Sequence, residues 1–357
     1  MILYTLNTPC WTDYDANNTS GVNLIDSKLS DHFTFMYYNL MKYGLVDEVA
    51  IFLDEKRIKR GIKNRTFDTD YGMMSIWDGR EISNLDLKEE QIVYCWSNWI
   101  DCKKLKNNLV IVNPMFSNVM YPSCFDPTIH DYALIEGESF QKTVPGWMPS
   151  DVFRYTSKDF CDITDNERDQ SLRTYDWIMV SSFDPRKRHI QFMESIVKNA
   201  AAKGLRGCIV GRNPDNKGRI NEGHNVLSKV QSIIKDNNLS VDIFLNASQE
   251  KKKNLMLQSK LYVCPSSLDN GPRSMIEAAQ SGCVLISMPH IGSSGVISPG
   301  VTGEIFSDLK NSADVVVAAL NSYNQYDINL CGKELAPSNV YPKLVEKIRN
   351  LHNDKFK

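Results

Sequence analysis

From Tyr175 onward the chain alternates short apolar runs with longer segments whose apolar residues recur every three to four positions. "YDWIMVSSF" reads as a strand, and in "HIQFMESIVKNAAAKG" Ile190, Met193, Ile196 and Val197 share one helical face that Gly204 ends. The alternation continues through strand "GCIVG", helix "INEGHNVLSKVQSIIKDNN", strand "VDIFL", helix "SQEKKKNLMLQSK", strand "LYVCPS", helix "RSMIEAAQSG" and strand "CVLISMP". Strands alternating with helices predict an α/β fold with a parallel sheet covered on both faces.

The first half follows the same logic less regularly. "MILYTLN", "EVAIFLDE", "EQIVYCW", "NLVIVNP" and "DYALIEGE" predict strands, and "DSKLSDHFTFMYYNLMKYG" predicts a helix. The pattern predicts two Rossmann-like domains: an N-terminal one over 1–154 and a C-terminal one over 175–340. The polar stretch 155–174 reads as their linker, and 341–357 as a C-terminal helix able to return to the first domain. A length of 357 residues suits two cores with a cleft between them.

Composition narrows the class. Charged residues make up 24%, the formal net charge is −2, and no run of about eighteen apolar residues occurs, so a soluble chain without a transmembrane segment is expected. The N-terminus "MILYTLNTPCW" lacks a basic region and a small-residue cleavage site, and the nine cysteines form no C-x-x-C pair. Together these point to a reducing cytoplasm and to neither a disulfide framework nor a structural zinc site.

Candidate chemistry centres on "LYVCPSSLDNGPRSMIEAAQSG". In an open parallel sheet, ligands bind beyond the carboxyl ends of the strands, where helix N-termini point free N–H groups. Here a strand runs into a loop with Asp269, and a helix opens at Arg273 and Ser274. Gly271 permits close backbone approach and Pro272 pre-sets the helix entry, so the loop suits a phosphate. Glu277 and Asp269 cannot hold phosphate, but each can accept hydrogen bonds from sugar hydroxyls. Taken singly, an acid near a helix start and an Asp-Asn-Gly turn are ordinary features.

The segment "DNGPRSMIEAAQSGCVLI" resembles the signature of retaining nucleotide-sugar glycosyltransferases of GT-B fold, the large family that includes the phosphatidylinositol mannosyltransferases and sucrose synthases. Acid, seven residues, acid, Ala and a following Gly are met by Asp269, Glu277, Ala278 and Gly282. The family's first acid is usually glutamate, one methylene longer. By resemblance Glu277 would hold the nucleotide ribose and Asp269 the transferred sugar. "SSFDPRKRH" resembles the segment whose Arg and Lys hold the donor pyrophosphate: Lys187 matches the Lys, Ser182 stands at the Arg position, and Arg186 or Arg188 is left to supply that charge. Gly21, in "NTSGVN", stands where the family keeps glycine beside the donor phosphates.

The resemblance implies a metal-independent, cytoplasmic enzyme that needs no cofactor and moves a hexose or pentose from a nucleotide-diphosphate sugar, a UDP-sugar first, to an acceptor hydroxyl with retention of configuration. The acceptor stays open. A surface glycan or glycolipid, with peripheral membrane contact, comes first, a modified base in DNA second, and a sugar-nucleotide-binding protein without transfer remains a third reading. Lys59, Arg60 and Lys63, together with Trp96 and Trp99, follow predicted first-domain strands and combine cations with aromatics suited to an anionic acceptor; a solvated face is the plainer reading. His130 precedes a first-domain strand and is a candidate contact to the donor sugar, against an ordinary loop histidine. His189 and His224 read as surface residues. Asp68 and Asp70, in "FDTD", match an Asp-x-Asp metal motif only in composition, since they follow a basic run and do not end an apolar strand.

Overall fold

The computed structural model describes residues 1–8, 31–53, 65–79, 87–95, 105, 107–113, 125–135, 144–154, 156–168, 172–212, 220–266, 273–289 and 295–357. Its contacts divide the chain into two units: Met1–Lys158 with Ala336–Lys357, and Asp159–Leu335.

The first unit is built on an eight-stranded sheet. Its strands are β1 Ile2–Thr8, β2 Glu48–Leu53, β3 Arg65–Thr69, β4 Gly72–Asp78, β5 Ile92–Cys95, β6 Leu109–Val112, β7 Tyr132–Ile135 and β8 Ser150–Val152. They lie in the order β3-β4-β2-β1-β5-β6-β7-β8, all parallel except β3, which runs antiparallel to β4. The chain builds outward from β1 in one direction and then from β5 in the other, so strand order reverses between β1 and β5. Helix α1 (His32–Lys42) starts where the Asp31 carboxylate accepts from the amides of Phe33 and Thr34, and it buries Phe33, Met36, Tyr37 and Leu40. The β3–β4 hairpin and short β8 escape the sequence pattern, because the burial described in β4 falls on three consecutive residues, Met74, Ser75 and Ile76, and β8 has three residues.

The C-terminal helix closes this unit. Its Tyr341 ring stands edge-on to Phe35 at 6.2 Å, Arg349 donates to the Gly44 carbonyl at 2.9 Å, and Lys355 bridges both Asp131 oxygens at 2.6 and 2.8 Å. This helix, α10, spans Pro337–Lys355. Among the described residues no helix is long and apolar enough to cross a membrane.

The second unit carries six parallel strands: β9 Tyr175–Val180, β10 Gly207–Gly211, β11 Val241–Leu245, β12 Ser259–Cys264, β13 Val284–Ser287 and β14 Gly303–Ile305, in the order β11-β10-β9-β12-β13-β14. Its helices are α2 Lys158–Cys161 at the boundary, α3 His189–Lys198, α4 Ala200–Lys203, α5 Ile220–Asp236, α6 Gln249–Leu257, α7 Arg273–Gln280, α8 Ser312–Asn321 and α9 Leu330–Glu334. Side-chain alternation splits the apolar runs between two cores. Trp177, Met179, Ile209, Leu261, Val263, Val284 and Ile286 face one. Ile178, Cys208, Val210, Tyr262, Cys264 and Leu285 face the other. A sheet buried on both faces needs such runs, which is why these strands are legible in sequence.

Two expectations change here. The helix read as continuous from His189 to Gly204 breaks at Asn199, whose extended backbone and side chain cap α4 through the Ala202 amide. Of the stretch read as a linker, Asp159 onward belongs to the second unit: Phe160 and Ile163 enter its core, and Arg168 and Arg173 are buried. Polar composition misleads because the partners of both arginines lie far along the chain. Arg168 Nε donates to the Gln280 carbonyl at 2.8 Å, and Arg173 donates to the carbonyls of Ser281, at 2.9 Å, and Ser259. The guanidinium groups thus satisfy carbonyls left over at the C-terminal end of α7. Gly282 follows with φ of +75°, and a Cβ there would lie 2.7 Å from the Arg173 guanidinium, so the last residue of the signature is glycine for room as well as for backbone angle.

Candidate donor site

In the second unit strand order reverses between β9 and β12, the place where open parallel sheets bind ligands beyond their carboxyl ends. Both segments singled out in sequence leave the sheet there. β9 runs into a turn, Pro185–Lys187, and then into α3; β12 runs toward α7. Two cross-links hold these exits together. The Ser274 hydroxyl, in the first turn of α7, donates to the Val180 carbonyl at 3.1 Å and meets the Tyr262 hydroxyl at 2.7 Å. The Ser266 hydroxyl donates to the Arg186 carbonyl at 3.4 Å.

The β9 turn is shaped by Asp184. Its carboxylate caps the turn through the Arg186 amide at 2.9 Å and accepts from the Arg186 guanidinium at 3.0 and 2.8 Å. Arg186 is thereby folded back on its own turn. Arg188 takes a left-handed backbone, φ 57°, and aims its guanidinium at the Met288 sulfur, 3.1 Å away, just past β13. Lys187, half-buried, stands between them at the start of α3, and Ser182 is exposed.

His189 was expected at the surface, and the structure corrects this. It is 1% exposed, stacked on Phe183 at 4.9 Å, with Nε2 3.1 Å from the Ser181 hydroxyl. Among the described residues its Nδ1 has no hydrogen-bond partner. Burial, reinforced by the neighbouring Lys187 charge, pushes its pKa down to about 3. The imidazole is therefore neutral, packed under the turn that carries Lys187. The unfolded chain takes up a proton near pH 6.5 that the folded chain refuses until about 3, so stability is lost as pH falls through this window. Between pH 7.5 and 5 the wild type should lose about 1–2 kcal/mol more than His189→Gln. Urea unfolding at both pH values checks this; equal losses would contradict the assignment.

Glu277 lies on α7, 2% exposed, with both carboxylate oxygens on one ammonium: Lys252 Nζ is 2.9 Å from Oε1 and 2.7 Å from Oε2. Burial pushes its carboxyl up, opposed by Lys252 and then by Arg273. Lys252 comes from α6 and also stands 5.2 Å from the Phe160 ring centre. Sequence reasoning missed it, although a signal exists: Lys252 precedes the buried Leu255 and Met256 by three and four residues, which puts it on the inward stripe of α6.

Several expected residues fall elsewhere. His130 does not lie at the carboxyl ends of the first-unit strands. Ile111 pairs with Tyr132, so His130, two residues earlier, stands at the amino edge of the sheet, 5% exposed, accepting from the Asp126 amide at 2.9 Å and edge-on to Phe125. A strand preceded by a histidine presents it at its amino end. Asp68 and Asp70 flank the β3–β4 turn, also on the amino side of β2 and β1, and both are exposed. Among the described residues no group of three or more His, Cys, Asp or Glu side chains is placed to hold a metal ion. Asp269, Gly271, Pro272, Gly21, Lys59, Arg60, Lys63, Trp96 and Trp99 lie outside the described residues.

Comparison with known proteins places this architecture. Over the whole chain the fold is similar to a sucrose-phosphate synthase from Thermosynechococcus elongatus, at 12% identity and TM-score 0.69, with 99% of each chain covered. It is also similar to a UDP-forming α,α-trehalose-phosphate synthase from Burkholderia xenovorans solved with glucose-6-phosphate, at 8% identity and TM-score 0.65, covering 98% of this chain and 100% of that one. A third is the catalytic domain of starch synthase IV from Arabidopsis thaliana bound to ADP and acarbose, at 10% identity and TM-score 0.61, covering 99% and 98%. No curated protein matches the sequence. These likenesses define the class, the GT-B fold of two Rossmann-like domains. Residues 164–326, which carry both segments of the candidate site, match the family described as "Glycosyl transferases group 1", so this stretch is a group 1 glycosyl transferase domain within a chain of GT-B fold.

Proposed function

We propose that this chain moves a sugar from a nucleotide-diphosphate sugar, a UDP-sugar, to an acceptor hydroxyl with retention of anomeric configuration. The observation that carries this is the convergence of the Lys187 turn and the Arg273–Glu277 turn of α7 where strand order reverses, tied by the Ser274 bond to Val180. Lys187 and the first amides of α7 stabilise charge developing on the diphosphate, a preorganised electrostatic role. Glu277 accepts the ribose hydroxyls, and Asp269 contacts the transferred sugar. The leaving diphosphate oxygen takes the acceptor's proton, so no enzyme nucleophile and no metal is needed. The enzyme works in the cytoplasm, and its acceptor is a surface glycan or glycolipid. The nucleotides associated with the structural neighbours support the donor class.

Incubating the purified chain with UDP-, ADP- and GDP-sugars, with and without EDTA, tests the reading through nucleotide release and NMR of the product anomer. Release from a UDP-sugar, unchanged by EDTA and with the anomer retained, is expected. An inverted product overturns retention, and EDTA-sensitive activity restored by Mn²⁺ overturns metal independence. Tight nucleotide binding without turnover establishes the binding-protein reading instead.

A further inference from the structure

We propose that Lys252 is a positioning residue for the donor nucleotide: its ammonium, bridging both oxygens of the buried Glu277, holds that carboxylate ionised and correctly turned to receive the ribose. This rests on the donor-site reading above, and it assigns a task to a side chain on a helix outside the signature. A carboxylate removed from water and left alone takes up a proton and rotates to suit whatever acceptor remains. Here the counter-charge is built in. Lys252 is itself held on the inward stripe of α6, its side chain 15% exposed and its ammonium over the Phe160 ring. Because one ammonium spans both oxygens, at 2.7 and 2.9 Å, it fixes the plane of the carboxylate as well as its charge. Arg273 also lowers the Glu277 pKa, after Lys252 in size, while Asp159, beside Phe160 on α2, raises it.

Calorimetry with UDP from about pH 6 to 9 on the wild type, Lys252→Met, Lys252→Arg, Glu277→Gln and the double Lys252→Met/Glu277→Gln tests this. Lys252→Met and Glu277→Gln should each weaken UDP about ten- to hundredfold near pH 7, the loss of charge-assisted hydrogen bonds. Lys252→Arg should recover most of the affinity, and the double variant should bind no more weakly than Glu277→Gln alone. The Lys252→Met defect should shrink as pH rises and the bare Glu277 ionises, whereas the Glu277→Gln defect should be flat. A merely structural Lys252 would show no such pH profile. Wild-type affinity in Lys252→Met beside a weakened Glu277→Gln overturns the positioning role and leaves the donor reading standing. A pH-independent defect that adds in full to that of Glu277→Gln also overturns it, since Lys252 would then touch the nucleotide directly. UDP affinity indifferent to Glu277→Gln, or absent from the wild type, overturns the donor reading itself. Should Lys252→Met not fold, Lys252→Gln, neutral but still a donor, carries the same comparison: a pH-dependent loss supports the role and unchanged affinity overturns it.

Discussion

Replacing Lys187 by alanine should lower turnover of the nucleotide sugar by two to three orders of magnitude, about 3–4 kcal/mol of transition-state stabilisation, while leaving the fold and the affinity for the bare nucleoside nearly unchanged. The geometry gives the reason. Arg186 is engaged with Asp184, and Arg188 points to Met288, so neither guanidinium stands where the turn presents Lys187 at the opening of α3. A group that meets charge appearing only as the diphosphate departs shows its loss in kcat, not in ground-state binding. Lys187→Arg should recover only part of the rate, because a planar fork does not replace a compact ammonium. Wild-type turnover in Lys187→Ala would transfer the role to a neighbouring arginine.

Arg173→Met should destabilise the second unit by about 2–5 kcal/mol, since it strips the buried carbonyls of Ser259 and Ser281 of a charged donor and replaces neither bond. For a unit of this size that lowers the melting temperature by roughly 5–15 °C, readable by calorimetry. The two predictions are complementary: Lys187→Ala should change rate without stability, and Arg173→Met stability first. A melting temperature within about 2 °C of wild type in Arg173→Met would show that solvent or Arg168 satisfies those carbonyls. Arg173 joins the start of β12 to the end of α7, so its loss should also loosen the helix that carries Glu277.

The signature segment was legible because its spacing is local. Glu277 and Ala278 lie on one short helix and Gly282 just past its end, so backbone preferences over a few residues suffice to place them together. Less legible are features in which direction along the sheet, packing under a turn or a distant partner decides the outcome. Adjoining a strand does not say at which of its ends His130 stands; the parallel pairing of β7 with β6 puts it at the amino edge. His189 reads in sequence as a surface residue; its stacking on Phe183, under the turn, buries it.

By itself, the sequence determined the alternation of strands and helices, the burial of both sheet faces and the strand–turn–helix path from β9 into α3. Each of these rests on side-chain period or on backbone preferences acting over a few residues. Tertiary structure alone decided which charges go inside. Lys252 and Glu277 are 25 residues apart, and Arg173 lies 108 residues from Ser281. A buried charge is tolerable only where folding delivers its partner, and that delivery depends on strand order, which no local pattern encodes.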